Sequence, residues 1–236
     1  MFSLLSLFAG YLSLNQIYKN SYINAVYLIM ASVVLDGFDG TIARLTKTDS
    51  NFGSQLDSLI DAIAFGATAS MLAYKWGFSG EYVHFGKIIG FVFLSAGVIR
   101  LARFNVMKEA DAIPSNIFTG LPIPAGALSI GSVILVFREP IKTEIGVYMF
   151  SAFVIIISFL MISNVKFRTM KIVQSKNGLQ ILFFIATILA FMIIYPSKSV
   201  PILVVLYLMS PIYFSIMGKL KSSKKRSRKK TEDHGN

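Results

Sequence analysis

Long apolar runs recur along the chain, and each is close to the length that a helix needs to cross a lipid bilayer. In lipid, backbone polar groups are satisfied only within helices or closed barrels. Turn-forming segments rich in glycine, proline or asparagine separate several of these runs. The pattern predicts an all-α, polytopic membrane bundle of about eight transmembrane helices, at 2–18, 22–45, 52–75, 86–106, 119–137, 145–163, 178–195 and 200–218.

The composition agrees with a membrane protein. Hydrophobic residues make up 54% of the 236 residues, whereas a soluble domain has about 45–50%. The chain has no cysteine, so disulfide bonds are excluded. The first apolar run lacks the basic segment that precedes the core of a secretory signal, and we expect no cleavable signal peptide. We predict one membrane-embedded domain over residues 1–218.

Basic residues are concentrated at the C-terminal end and on one side of the predicted membrane. The net charge is +11, and eight of the 23 basic residues lie in the tail 219–236. We expect this tail to be disordered and to face anionic lipid headgroups rather than nucleic acid, although a role as a topological anchor stays open. With both termini in the cytoplasm, seventeen basic residues fall on the cytoplasmic side and six on the other.

Four aspartates lie within the second and third apolar runs. Asp36 and Asp39 are three residues apart, and Asp57 and Asp61 are four apart, so each pair shares one helix face. A short polar connection over 46–51 would place the two pairs near each other at the cytoplasmic end. A carboxylate at membrane depth costs about 2.5–3.5 kcal/mol, which indicates a functional site.

Divalent cations would remove the repulsion among these carboxylates, and oxygen ligands suit Mg²⁺ or Mn²⁺. Two such ions would clamp a phosphoryl group in transfer, and Arg44 is suited to bind a phosphate. Other readings stay open. Asp36 or Asp57 alone fits a helix cap or an ion pair with Arg44, and the small residues nearby fit simple helix packing: Gly40, Ala43 and Gly53.

The joint pattern D-x2-D-G-x2-A-R-x8-G-x3-D-x3-D spans residues 36–61 without departure at its eight fixed positions. It resembles the signature of the CDP-alcohol phosphotransferase family. The resemblance implies an enzyme that transfers a substituted phosphate from a CDP-linked lipid to an alcohol and releases CMP. It also implies two divalent ions held by Asp36, Asp39, Asp57 and Asp61, with Asp61 as the general base, and a homodimer. The implied CDP site comprises Asp36, Gly40, Ala43, Arg44, Ser50, Gly53 and Asp57.

Two further stretches resemble those of membrane-embedded phosphatidylserine synthases of bacteria and archaea. They are IRLARFNV at 99–106 and FTGLPIPAGA at 118–127. The expected reaction is transfer of the phosphatidyl group of CDP-diacylglycerol to L-serine. We predict that Arg100, Arg103 and Asn105 shape the acceptor pocket, because an arginine fork matches the carboxylate of an amino acid. The alternative is that both arginines reach for lipid headgroups.

Lys166 and Arg168 follow the sixth run and are candidates for phosphate contacts, although they fit positive-inside topology equally well. The nearest alternative function is the same transfer to glycerol 3-phosphate or an inositol phosphate, and a remote one is cation transport. The predicted location is the inner membrane of a prokaryote, among membrane phospholipids, with the active site facing the cytoplasm.

Overall fold

A computed structural model of the chain describes residues 2–46, 51–109, 117–168, 191–192 and 194–211. The α-helices are α1 (Phe2–Tyr18), α2 (Tyr22–Thr46), α3 (Asn51–Asp61), α4 (Thr68–Gly77), α5 (Val83–Glu109), α6 (Ile123–Phe137) and α7 (Glu144–Ile162). A π-helical segment, Ala62–Ala67, joins α3 to α4, and a 3₁₀ turn, Gly80–Tyr82, precedes α5. Residues 196–211 are helical as well.

The predicted helical membrane bundle is confirmed. Among the residues that the structure describes, four helical stretches are long and apolar enough to cross a membrane: Tyr22–Asp39, Phe52–Gly77, Gly80–Met107 and Glu144–Ile162. The predicted run at 178–195 lies mostly outside the described residues, so the number of eight spans stays a prediction. The tail 219–236 and its boundary with the membrane domain also lie outside them.

A short two-stranded ribbon departs from the all-helical prediction. Strand β1 (Ile117–Thr119) pairs antiparallel with β2 (Lys166–Arg168). Helix α6, which corresponds to the fifth predicted run, begins at Ile123 rather than at 119, because Pro122 at its N-cap has an extended backbone, with ψ of 142°. Pro124 is tolerated in the first turn, where a missing N–H leaves no helical hydrogen bond unmade.

Gly120 makes the turn between β1 and α6 possible. Its φ is +80°, and a Cβ there would lie 2.2 Å from the carbonyl oxygen of Met161. Its own N–H donates to the carbonyl of Val165 at 2.8 Å, and the N–H of Leu121 donates to that of Leu160 at 3.0 Å. The segment after β1 is therefore held against the C-terminal end of α7.

Small polar residues join α1 to α2 as an antiparallel pair. The hydroxyls of Ser6 and Ser32 lie 2.7 Å apart, and Ser32 Oγ donates to the carbonyl of Ser6 at 3.0 Å. Further along, Ser13 Oγ donates to the carbonyl of Ala25 at 3.0 Å. Such residues let membrane helices approach closely and bind each other through hydrogen bonds.

Large apolar side chains form the core among α4, α5, α6 and α7. Phe65, Trp76 and Phe93 are fully buried there. The ring of Trp76 meets that of Phe150 edge-on, with centroids 5.3 Å apart, which joins α4 to α7. Because α5 packs on both α4 and α7, its C-terminal half is held beside the helix that carries Asp57 and Asp61.

The close approach of α1 to the π-helical segment predicts a sharp sensitivity at Gly10. A Cβ there would lie 2.7 Å from Ala64 Cα, a backbone atom that cannot move alone. We expect Gly10→Ala to lower the midpoint of thermal unfolding in detergent by roughly 3 °C or more. The control is Gly37→Ala, where a Cβ would meet no described atom within 4 Å. Equal midpoints for the two variants would contradict this packing.

Candidate active site

The structure brings the four predicted aspartates to one place. Asp36 and Asp39 lie near the end of α2, and Asp57 and Asp61 lie on α3. Asp36 is within electrostatic reach of Asp39 and Asp57, and Asp61 is within reach of Asp36 and Asp57. The shared helix faces inferred from the spacing therefore do face each other across the α2–α3 connection.

A π-helical segment begins directly after Asp61. Its wider turns change the direction in which the following side chains point, and it buries Ala64, Phe65 and Gly66 in the core. The hydroxyl of Thr68 donates to the carbonyl of Ala64, which satisfies a group of the irregular turn. Segments of this kind occur mostly at functional sites. Here the segment allows the aspartates of α3 to face the site while the apolar face of α4 packs in the core.

Arg100 of α5 faces Asp61. Its side chain is buried, with 6% of the residue exposed, and lies within electrostatic reach of the Asp61 carboxylate. Its guanidinium carbon lies 5.7 Å from the ring centroid of Phe104. Within the described part of the chain, Asp61 Oδ1 and Arg100 Nε are both buried without a hydrogen-bond partner. Buried polar atoms are rarely left so, and a pair of opposite charge fits a polar ligand that bridges them.

Arg103, one helical turn further along α5, makes a different set of contacts. Its guanidinium donates to the carbonyls of Ile162 at 2.7 Å, Ser163 at 3.1 Å, Thr119 at 3.3 Å and Met161 at 3.4 Å. A cation suits the carbonyls left unpaired at a helix C-terminus. These contacts indicate that Arg103 caps α7 and holds β1, and its place in the acceptor pocket stays a prediction.

Asn105 joins α5 to the aspartate-bearing helix. Its Oδ1 accepts a hydrogen bond from Ser58 Oγ at 3.0 Å, and its Nδ2 donates to Gln55 Oε1 at 3.2 Å. Ser58 lies between Asp57 and Asp61 on α3. The predicted role of Asn105 as an acceptor ligand is untested, whereas these contacts set how α3 sits against α5.

Ser3 is a site contact that the sequence patterns did not indicate. Its backbone N–H donates to Asp39 Oδ2 at 3.0 Å, and its hydroxyl contacts the same oxygen. The start of α1 therefore orients one of the four carboxylates. Neither its spacing nor its residue type distinguishes Ser3 from the other serines of α1, so only the packing of α1 on α2 reveals it.

Several predicted binding residues cannot be placed by their side chains. Ser50 lies outside the described residues. Only the backbone is described at Gly40, Ala43, Arg44, Lys166 and Arg168. Gly53 is exposed on α3, two turns before Asp61.

The donor chemistry of the site fits a hard divalent cation. Each of the four carboxylates lies within electrostatic reach of at least one other, and Asp61 carries a buried oxygen without a described hydrogen-bond partner. Among the residues that the structure describes, however, no group of three or more histidine, cysteine, aspartate or glutamate side chains is arranged so as to hold a metal ion. The oxygens are of the right kind, but the described positions do not form a finished ligand set.

The family model described as CDP-alcohol phosphatidyltransferase matches residues 1–162, which contain all four aspartates and both arginines. The chain belongs to this family. Enzymes of the CDP-alcohol phosphatidyltransferase family generally depend on divalent metal ions. The membership confirms the resemblance carried by the aspartate pattern.

Curated relatives of the chain carry specific names. A Helicobacter pylori protein named CDP-diacylglycerol–serine O-phosphatidyltransferase is 32% identical over 231 residues, covering 96% of this chain and 95% of the relative. A protein of the same name from Methanocaldococcus jannaschii is 36% identical over 145 residues, covering 61% and 64%. The archaetidylserine synthase of Methanothermobacter thermautotrophicus is 34% identical over 172 residues, covering 71% and 67%.

The capping contacts of Arg103 predict a stability effect. Arg103→Lys keeps the charge but replaces a fork of five donors by one ammonium, which cannot satisfy several separated carbonyls. We expect its thermal midpoint in detergent to fall by roughly 3 °C or more. The matched control is Arg138→Lys, an exposed arginine whose described hydrogen bond is a long one to Ser197, at 3.5 Å. An unchanged midpoint for Arg103→Lys would contradict the capping role.

Proposed function

We propose that the chain transfers the phosphatidyl group of CDP-diacylglycerol to the hydroxyl of L-serine, giving phosphatidylserine and CMP. The observation that carries this proposal is that Asp61 and Arg100 lie within electrostatic reach of each other beside the other aspartates, and that each has a buried polar atom without a described hydrogen-bond partner. The Helicobacter pylori relative, which matches over nearly its whole length, bears the name of this reaction.

In the proposed mechanism the acceptor lies between Asp61 and Arg100. The Arg100 guanidinium binds the serine carboxylate, which a planar fork of donors matches well. Asp61 Oδ1 takes the proton of the serine hydroxyl, because an aliphatic alcohol is a weak nucleophile until a positioned base removes that proton. The serine oxygen then bonds to the phosphorus that bears diacylglycerol. The bond from this phosphorus to the CMP oxygen breaks, and CMP leaves with the electron pair.

The donor is bound on the aspartate side of the same pocket. Asp36, Asp39, Asp57 and Asp61 would hold two divalent ions, Mg²⁺ or Mn²⁺, which supply charge neutralisation for the diphosphate and its leaving group when bound. The CDP part would lie along the family motif, at Gly40, Ala43, Arg44, Ser50 and Gly53. Lys166 and Arg168 are proposed as further phosphate contacts, since β2 is paired with the strand that Arg103 holds.

We place the site at the cytoplasmic edge of a prokaryotic inner membrane, where a lipid-anchored donor and a water-soluble amino acid meet. The excess of basic residues on that side supports this orientation. Membrane phospholipids surround the apolar helices, and the basic tail 219–236 faces their headgroups. A homodimer remains part of the proposal from family resemblance.

Serine fits the described charges better than a phosphorylated acceptor does. Glycerol 3-phosphate and inositol phosphate bring a dianion, which needs several cations to offset its lost hydration. Near Asp61, the described residues provide the Arg100 guanidinium, while that of Arg103 is hydrogen-bonded to backbone carbonyls. Membership in an enzyme family disfavours the remote alternative of cation transport.

The test is CMP release by the purified chain with CDP-diacylglycerol and Mg²⁺ or Mn²⁺, run in parallel with L-serine, glycerol 3-phosphate and inositol phosphate. We expect release that depends on serine. Asp61→Asn should reduce it at least a thousandfold, because the amide is nearly isosteric but cannot accept the proton. The control Glu81→Gln neutralises an exposed carboxylate outside the site.

Two results would count against the proposal in different ways. Release that requires a phosphorylated alcohol would keep the aspartate chemistry and overturn the acceptor. Near-normal turnover by Asp61→Asn, with Glu81→Gln also active, would overturn the general-base role of Asp61.

A further inference from the structure

Two segments beyond the family match pack on each other near Arg100. The family model ends at residue 162, whereas β2 and the helical residues 196–211 come later in the chain. Phe167 of β2 is fully buried, and its ring stacks on that of Tyr207 with centroids 5.4 Å apart and planes at 25°. Val204, one turn before Tyr207, and Leu208, the residue after it, pack against the apolar core. Tyr207 is therefore held in a defined position.

Tyr207 lies within electrostatic reach of Arg100. Arg100 thus lies within electrostatic reach of two groups from different parts of the chain, the Asp61 carboxylate on α3 and the Tyr207 phenol on 196–211. The guanidinium is buried, and its Nε has no described hydrogen-bond partner. A tyrosine hydroxyl beside this cation can both accept and donate a hydrogen bond to a ligand, which a phenylalanine at the same position could not do.

We propose that Tyr207 is a specificity-determining residue of the acceptor pocket, and that its hydroxyl binds the carboxylate of the amino-acid acceptor together with Arg100. This inference rests on the proposed function. In this arrangement the phenol donates a hydrogen bond to the acceptor carboxylate, and the nearby guanidinium donates to the same group. The stack on Phe167 orders the ring in advance, so little side-chain entropy is lost when the acceptor binds.

The position of Tyr207 in the sequence fits a role in binding the acceptor rather than the donor. The donor-binding aspartates belong to the part of the chain that the family model covers. The phenol comes from a segment outside that model, yet within the 231 residues aligned with the Helicobacter pylori serine enzyme. A residue so placed distinguishes acceptors without touching the shared donor chemistry.

The test is the Tyr207→Phe variant in the CMP-release assay. The ring and its stack remain, and the hydroxyl alone is lost. We expect the KM for L-serine to rise about tenfold or more, the size of one lost hydrogen bond to a charged group. The KM for CDP-diacylglycerol and the thermal midpoint in detergent should stay within twofold and 1 °C of the unmodified chain. Tyr195→Phe, the same change at an exposed tyrosine, is the matched control.

Each outcome decides the inference. A selective rise in serine KM, absent from Tyr195→Phe, supports it. An unchanged serine KM, or an equal rise for both substrates with a lower midpoint, overturns it, the latter because it reveals a packing role. If the unmodified chain releases no CMP with serine, the proposed acceptor and this inference both fall. Serine-dependent release with an unaltered Tyr207→Phe KM overturns the inference alone.

Discussion

The proximity of the Asp61 carboxylate to the buried Arg100 guanidinium is the interaction on which the account of this site depends. Two opposite charges within a membrane bundle each lose their hydration, and neither is stable there unless the other is close. Removing one partner of such a pair typically costs about 3–5 kcal/mol, because the other charge is left uncompensated. In the structure, Asp61 Oδ1 and Arg100 Nε nevertheless have no described hydrogen-bond partner. A polar acceptor bound between Asp61 and Arg100 would form hydrogen bonds with these two atoms.

The rest of the fold holds α5 so that Arg100 stays near Asp61. Arg103 fastens one side of α5 to the end of α7 and to β1, and Asn105 fastens another side to α3. Both contacts lie within two turns of Arg100. Rotation of α5 would break them together, so these hydrogen bonds set the direction of the Arg100 side chain. Residues grouped by sequence as one acceptor pocket thus have distinct physical surroundings.

Much of this could be predicted from the sequence because it depends on local spacing. The first six apolar runs predicted α1 to α7 to within a few residues, with α3, the π-helical segment and α4 in a single run. The three- and four-residue spacings of the aspartates predicted that each pair shares a face. What spacing could not decide is which of two arginines one turn apart meets Asp61 and which caps a helix 60 residues away. The β1–β2 ribbon, the contact of Ser3 with Asp39 and the stack of Tyr207 on Phe167 join residues distant in sequence. None of these contacts produces a periodic pattern in the sequence.

The most direct test of the central claim asks whether Arg100 reads the acceptor carboxylate beside Asp61. The measurement is kcat/KM for L-serine and for L-serinamide, whose carboxylate is replaced by a neutral amide, with the unmodified chain and with Arg100→Gln. If Arg100 binds the carboxylate, the unmodified chain should prefer serine at least tenfold and the variant should lose most of that preference, a coupling that a double-mutant cycle isolates. An equal preference in both proteins would contradict the account, since the arginine would then not contact the group that the change removes.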